Sequence, residues 1–477
     1  VQADLPTRAA LFDLEPEGSV RDVGGGSGSD ELSAATPVAE REFRDQLEAV
    51  ASAADPARLR LLLAAESAGA LIAAEMQAAG LPWRSDLHDA LLTEALGPRV
   101  PAGVKPRRLE DLATRIRTVL ADPTLNLDSQ QDLLRTLQRS GLEVRSTRAW
   151  ELRKHSHPVV EPLLEYKKLS RLASANGWAW MDAWIVDGRF HPDYLPGGVV
   201  TGRWATRGGG AMQLPKQVRG AVVADRGWKL VVADAAQLEP RILAALAQDT
   251  AMATAGRGAD LYAGIVASGV VETREQAKGA MLGAMYGATT GEGGRLMPKL
   301  ARAYPRAIGL TEEAARAGER GDRITTRLGR SSPLPGADWR AAQARAYDSS
   351  ASAADERLAR SRARDWGRFT RNFVVQGSAA EWALCWMAEI RKALWAFGDD
   401  PPEAAPSSSA QSLFAHSPHL VFFLHDEVIV HTPTVLAGEV EDIIIRSATE
   451  AGRLLFGDFP VDFPLTVTSV DSYAEAL

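Results

Sequence analysis

The chain of 477 residues is short of cysteine, of long apolar runs and of surplus positive charge. Cys385 is its only cysteine, so no disulfide can form within the chain, and its apolar setting, Trp382 to Met387, reads as a buried small side chain in a reducing compartment. No apolar run is long enough to cross a bilayer and no signal-peptide pattern opens the chain, so neither a membrane partner nor export is expected. The chain begins on Val1 rather than Met, which leaves room for further sequence upstream. The net charge is −7, the wrong sign for a polyanion binder. That deficit is local: residues 1–50 hold eleven acids and four bases, and the rest carries 50 of each. A basic groove is therefore not excluded.

What the chain does hold is 45% hydrophobic and 24% charged residues, a globular composition long enough for several subdomains. Residues 1–48 read as an acidic flexible linker with a Gly-Ser run at Gly24 to Ser29. Apolar periodicity predicts helices at Ala57–Gly80, Leu87–Leu96, Leu109–Leu120, Ser129–Leu137 and Glu161–Ala175. Short strands and a glycine turn at Gly208 to Gly210 follow from Phe190 to Val232. Residues 235–320 are mostly helical, Thr325–Leu328 is a possible strand, and 353–395 is one long helix or two. Strands are expected at Leu420–Leu424, Glu427–His431 and Leu465–Val470. Helices around a mainly antiparallel sheet make an α+β fold.

Two strand ends carry acids. Trp228 to Val232 is an apolar strand closing on Ala233-Asp234, and Leu420 to Leu424 and Val428 to Val430 flank a His425-Asp426-Glu427 turn. A carboxylate at a buried strand end needs a counter-charge, which a hard cation supplies, and paired ions suit phosphoryl transfer. Each motif taken alone is better explained as a helix cap at Asp234 and a plain polar turn at 425–427. Arg274, Lys278, Leu282 and Tyr286 share one helix face, opened by a Thr273/Gln276 capping pattern. That face suits a triphosphate, or is a solvated basic edge. Arg368, Asn372 and Gln376 repeat the spacing with hydrogen-bond donors, which fits minor-groove acceptors or a plain polar face.

These pieces together resemble family A DNA polymerases from about Ala57 to Leu477. Val232 to Arg241 resembles motif A, Arg274 to Gly287 motif B and His425-Asp426-Glu427 motif C. Leu125 to Ser129, Leu164 to Leu169, Thr201 to Trp204, Leu328 to Arg330 with Leu334-Pro335, and Gln376 to Glu381 match further segments in order. The resemblance implies a right hand: a helical lead-in at 49–83, thumb at 84–176, palm at 177–245 and 366–477, and fingers at 246–365. It implies that Asp234, Asp426 and the Ala235 carbonyl hold two Mg²⁺ ions, or Mn²⁺, with Glu427 beside them. Lys278 and Arg274 would take the triphosphate, and Glu239 would crowd a ribose 2′-OH. Gln237, Leu282, Tyr286 and His425 would line the dNTP site. Arg203, Arg368, Asn372 and Gln376 would grip primer–template DNA. The expected activity is 5′–3′ DNA-templated primer extension in repair or gap filling, by a monomer, cytoplasmic and nucleoid-associated. The alternative is a primer–template binder with weak or relaxed catalysis. Residues 1–56 are too short and linker-like for a proofreading domain.

Four departures stand out. Ala235, Ala236 and Pro240 replace the usual motif A Tyr, Ser and Leu, and Leu282 replaces an aromatic on the fingers helix. A ligand at 235 is a main-chain carbonyl, so the lost ring spares it.

Overall fold

Four strands build the central sheet: β6 (Trp228–Ala235), β7 (His419–Leu424), β8 (Glu427–Pro433) and β9 (Leu465–Val470), the earlier five strands β1 to β5 being two-residue pieces between Leu81 and Thr206. The computed structural model describes residues 28–101, 103–258, 260–287, 291–397, 408 and 414–476. The sheet order is β7-β8-β6-β9 and each neighbouring pair is antiparallel. β6 is therefore an interior strand, and Leu230 to Ala233 on it are all buried. Such a strand is covered on both faces, which is why its sequence is a continuous apolar run rather than an alternating one. The three strands expected near the end of the chain and the one at 228–234 all form.

Helices before the sheet follow the expected pattern. They are α2 (Pro56–Ala79), α3 (Ser85–Leu96), α4 (Arg107–Val119), α5 (Gln130–Arg139) and α7 (Val160–Asn176), with a short α6 (Ala149–Leu152) and α8 (Trp178–Trp184). Ser129 caps α5, its hydroxyl accepting from the Asp132 N–H at 3.3 Å. The segments 125–129 and 164–169 meet here: the Tyr166 hydroxyl donates to Asp128 at 2.8 Å and Lys105 donates to Tyr166 at 2.9 Å.

After β6 come α9 (Leu238–Leu246), α10 (Thr250–Ala255), α11 (Leu261–Ala267), α12 (Arg274–Tyr286), α13 (Gly291–Ala303), α14 (Pro305–Glu319) and α15 (Ala337–Ala346). The stretch 353–395 is one helix, α16 (Ala353–Trp395), opened by a full capping box between Ser352 and Asp355. From Phe373 to Met387 nearly every residue of α16 is buried, so it is a core helix rather than a surface one. Its close neighbours demand glycine: a Cβ on Gly377 would lie 2.4 Å from Thr326 Cγ2. α17 (Ala437–Phe456) packs on the same helix, where Trp386 Nε1 donates to the Ile444 carbonyl at 3.1 Å.

Two local expectations fail. The linker reading ran coil to about residue 48, but α1 (Gly28–Ala51) is helical, with Pro37 inside it. Its residues after the glycine run are mostly helix formers, and propensity outweighs an acidic, weakly periodic pattern. The Gly24–Ser27 part of the run lies outside the described residues. Thr325–Leu328 is a turn with only an isolated bridge, Thr325 to Ser331. Gly329, at φ +106°, reverses the chain, and the buried Glu381 carboxylate accepts the Leu328 N–H at 2.9 Å in place of a strand partner.

Candidate active site

The register of the sheet brings the two acids together. Asp234 pairs with Glu427 across β6 and β8, and the Ala235 N–H donates to the Asp426 carbonyl at 2.9 Å. Asp426 sits in the two-residue turn between β7 and β8, after His425 at φ +62°. A left-handed first residue is what a tight hairpin of this length needs. Burial, and then the negative charge of Asp234, push the Asp426 pKa up to about 7. Burial raises that of Asp234 also, with Arg219 pulling the other way. Two carboxylates crowded in this fashion, beside the carbonyl edge at Ala235, make an all-oxygen donor set for a hard divalent cation. Among the described residues no group of three or more His, Cys, Asp or Glu side chains is arranged to hold a metal, so the pair of carboxylates here needs main-chain oxygen to complete a donor set.

Glu427 is occupied elsewhere. The Tyr473 hydroxyl donates to it and Arg219 lies 3.8 Å away, with its guanidinium 4.2 Å over the Tyr473 ring. Burial raises the Glu427 pKa, while the Tyr473 bond and Arg219 oppose the shift. Arg219 is itself buried, with Nε and Nη1 lacking a hydrogen-bond partner. It is the positive charge felt by both Asp234 and Glu427.

A second cluster joins four segments of the chain. Glu239, in the first turn of α9, accepts from the Arg203 guanidinium on one oxygen and from the Tyr286 hydroxyl at 2.7 Å on the other. Gln376 on α16 donates toward the Tyr286 oxygen and accepts from the Thr201 hydroxyl at 2.8 Å. Arg203, Glu239, Tyr286 and Gln376 thus form one hydrogen-bonded network. Tyr286 ends α12 because Gly287 follows at φ +75°, and a Cβ there would meet Arg368 Cγ at 2.8 Å. Arg368 rests against that glycine and pairs with Asp365. Asn372 Oδ1 is buried without a partner.

On α12, Thr273 caps the helix by accepting from the Gln276 N–H at 3.2 Å, and Gln276 reaches back to the Glu272 N–H at 3.0 Å. Lys278 is exposed and Leu282 half-buried. Arg274 is paired with Asp260, through Nε at 3.0 Å and Nη2 at 2.7 Å. Gln237 takes a left-handed φ of +49° between β6 and α9, and its amide oxygen accepts from the Leu261 N–H at 3.2 Å and from Arg241 at 3.3 Å. His425 lies at the turn, where enclosure and then Arg203 lower its pKa. Asp260, Arg219, Tyr473 and Thr201 were not singled out as site residues. Only Asp260 left a local signal, as an acid directly before an apolar helix, and it does cap α11 through the Ala263 N–H at 2.9 Å.

The sequence profile described as DNA polymerase family A matches residues 105–471. A thermostable DNA polymerase I of Thermus thermophilus is 24% identical over 495 residues, covering 95% of this chain and 52% of that protein. The DNA polymerase I of Chloroflexus aurantiacus is 28% identical over 215 residues, covering 38% of this chain and 22% of its own. The chain spans about half or less of the length of the curated relatives it matches. In structure it is similar to the polymerase domain of Pol1 from M. smegmatis, solved with DNA primer–template and dNTP, at a TM-score of 0.65 and 20% identity, over 85% of this chain and 69% of that one. No described helix is long and apolar enough to cross a membrane.

Proposed function

The chain belongs to DNA polymerase family A, and from that premise we propose that it extends a primer on a DNA template, joining dNTPs to the 3′ end. The observation that carries this reading is the meeting of Asp234 and Asp426 at adjacent strand ends, where burial raises the pKa of both. Asp234, Asp426 and the Ala235 carbonyl are the groups that would hold two Mg²⁺ or Mn²⁺ ions. Bound there, such ions neutralise the charge gathering on the attacking and leaving oxygens. On this reading the thumb is residues 84–176, the palm 177–245 and 366–477, and the fingers 246–365.

The protein's own groups orient the reactants. Arg274 and Lys278 on α12 bind the triphosphate, and Lys278 hands a proton to the departing pyrophosphate. Glu239 stands where a ribose 2′-OH would fall. It is well placed for that task because Arg203 and Tyr286 fix both of its oxygens. Arg203, Gln376, Asn372 and Arg368 donate to the primer terminus and template, and the exposed Arg368 guanidinium has N–H groups to spare for this. His425 and Gln237 border the nucleotide. Glu427, held by Tyr473 and Arg219, braces the hairpin that presents Asp426. Catalysis is then chiefly positioning and charge neutralisation. Gap filling in repair is the role such a chain fits.

Primer extension on gapped DNA with Mg²⁺ or Mn²⁺ tests the reading. Extension that disappears in Asp426→Ala is expected. Extension by neither would leave a DNA-binding protein rather than a polymerase, and equal extension by both would remove Asp426 from the catalytic site.

A further inference from the structure

The arginine that faces the nucleotide already has an anion. Arg274 donates from Nε (3.0 Å) and Nη2 (2.7 Å) to a single oxygen, Oδ2 of Asp260, and its guanidinium lies 5.5 Å from the centre of the Tyr262 ring. The other Asp260 oxygen caps α11, accepting the Ala263 N–H at 2.9 Å. Gln237 Nε2 reaches the same Oδ2 at 3.4 Å. Gln237 follows Asp234 by three residues, so one carboxylate links the strand end of the acid pair to the first turn of α12.

Carboxylate and phosphate take the same fork of a guanidinium, and the same two N–H groups cannot serve both at full strength. Arg274 is about half exposed and Asp260 about a third, at 50% and 31% of their side-chain surfaces. An ion pair this open is weak, so it holds the arginine without locking it. The charge and the three phosphates of a nucleotide outbid one carboxylate for the fork.

We propose that Asp260 is a latch on Arg274: its carboxylate occupies the N–H groups that nucleotide phosphates take, and the arginine passes from Asp260 to the triphosphate as the nucleotide binds. The latch rests on the reading of Arg274 as a phosphate-binding residue. It lowers the affinity for nucleotide, because each binding event must first break the pair. It acts on pyrophosphate in the same sense, since that anion needs the same fork. The freed carboxylate stays anchored by the α11 cap and by Gln237, and so waits beside the arginine for product release.

The test uses the full chain on primer–template DNA. Asp260→Asn removes the charge but keeps an oxygen to cap α11. Steady-state kinetics with dNTP should show KM lowered about three- to fivefold, with kcat moving less, the size expected of an exposed ion pair. Inhibition by pyrophosphate should tighten to a similar degree. Arg274→Ala should raise KM, and Asp260→Asn added to it should then change nothing. If Arg274→Ala raises KM but Asp260→Asn leaves it the same or higher, the latch is overturned while the phosphate role of Arg274 stands. If Arg274→Ala leaves KM unchanged, the phosphate role falls and the latch with it. Asp260→Ser, also able to cap, takes the place of the asparagine variant should that one melt early.

Discussion

At the scale of single residues, the site's peculiarities lie where side chains depart from the commoner pattern. Leu282 is half-buried on the α12 face between Lys278 and Tyr286 and offers no hydroxyl to an incoming sugar. Leu282→Tyr should therefore raise dideoxynucleotide incorporation relative to dNTP by about tenfold, the worth of one added hydrogen bond. Competing the two nucleotides in one extension reaction measures it, and an unchanged ratio defeats the idea. Tyr286 grips one of the two Glu239 oxygens. Tyr286→Phe frees that oxygen, and ribonucleotide use should climb about tenfold as the gate loosens; the ratio of rNTP to dNTP extension is the readout. Asp234, Asp426, Glu239 and Arg274 were legible from motif and position. The groups around them were not: Arg219 and Tyr473 reach Glu427 from distant parts of the chain, and no local spacing records such a meeting.

At the scale of elements, the strands and most helices were readable because each buries a face with the right period. β6 and β8 announced themselves as apolar runs ending in acids. α1 was hidden by its glycine-rich start and its acidic charge, and the turn at Thr326 to Gly329 by β-branched residues that imitate a strand. The length of α16 was ambiguous because Gly367 and Gly377 look like breaks. They are contact points instead. A Cβ at Gly377 would collide with Thr326 and come within 3.1 Å of the Thr201 carbonyl. Gly377→Ala should cost about 2 kcal/mol in urea unfolding, as overpacked core sites do, and should disturb the neighbouring Thr201–Gln376 bond. Stability equal to wild type would show that α16 has room to move.

At the scale of the whole molecule, buried titratable groups bracket the pH range of stability. Burial lowers the His419 pKa to about 4 and holds that of His431, stacked on Trp228, well below the usual histidine range. Unfolded histidine takes up protons near pH 6.5, so the unfolded chain binds more protons between pH 6.5 and 4. Stability is then full above pH 6.5 and falls as pH drops toward 4, by about 3 kcal/mol for His419 alone. Glu381 has the opposite sign: burial lifts its pKa to about 7, so its favourable, protonated state is lost as pH rises from 4.5 to 7. Urea midpoints across pH 4 to 8 should form a dome. His419→Phe should flatten its acid side and Glu381→Gln its neutral side; a dome untouched by both would assign the profile to other groups.

The antiparallel seam between β6 and β8 also has a meaning in time. Asp234 and Asp426 lie 192 positions apart, and β9, the other neighbour of β6, begins only at Leu465. A ribosome making this chain releases the helices from α9 to α16 before the strands that complete the seam. Until those strands emerge, a nascent chain holds Asp234 on a strand without either of its neighbours and with no second carboxylate for its chemistry to act through.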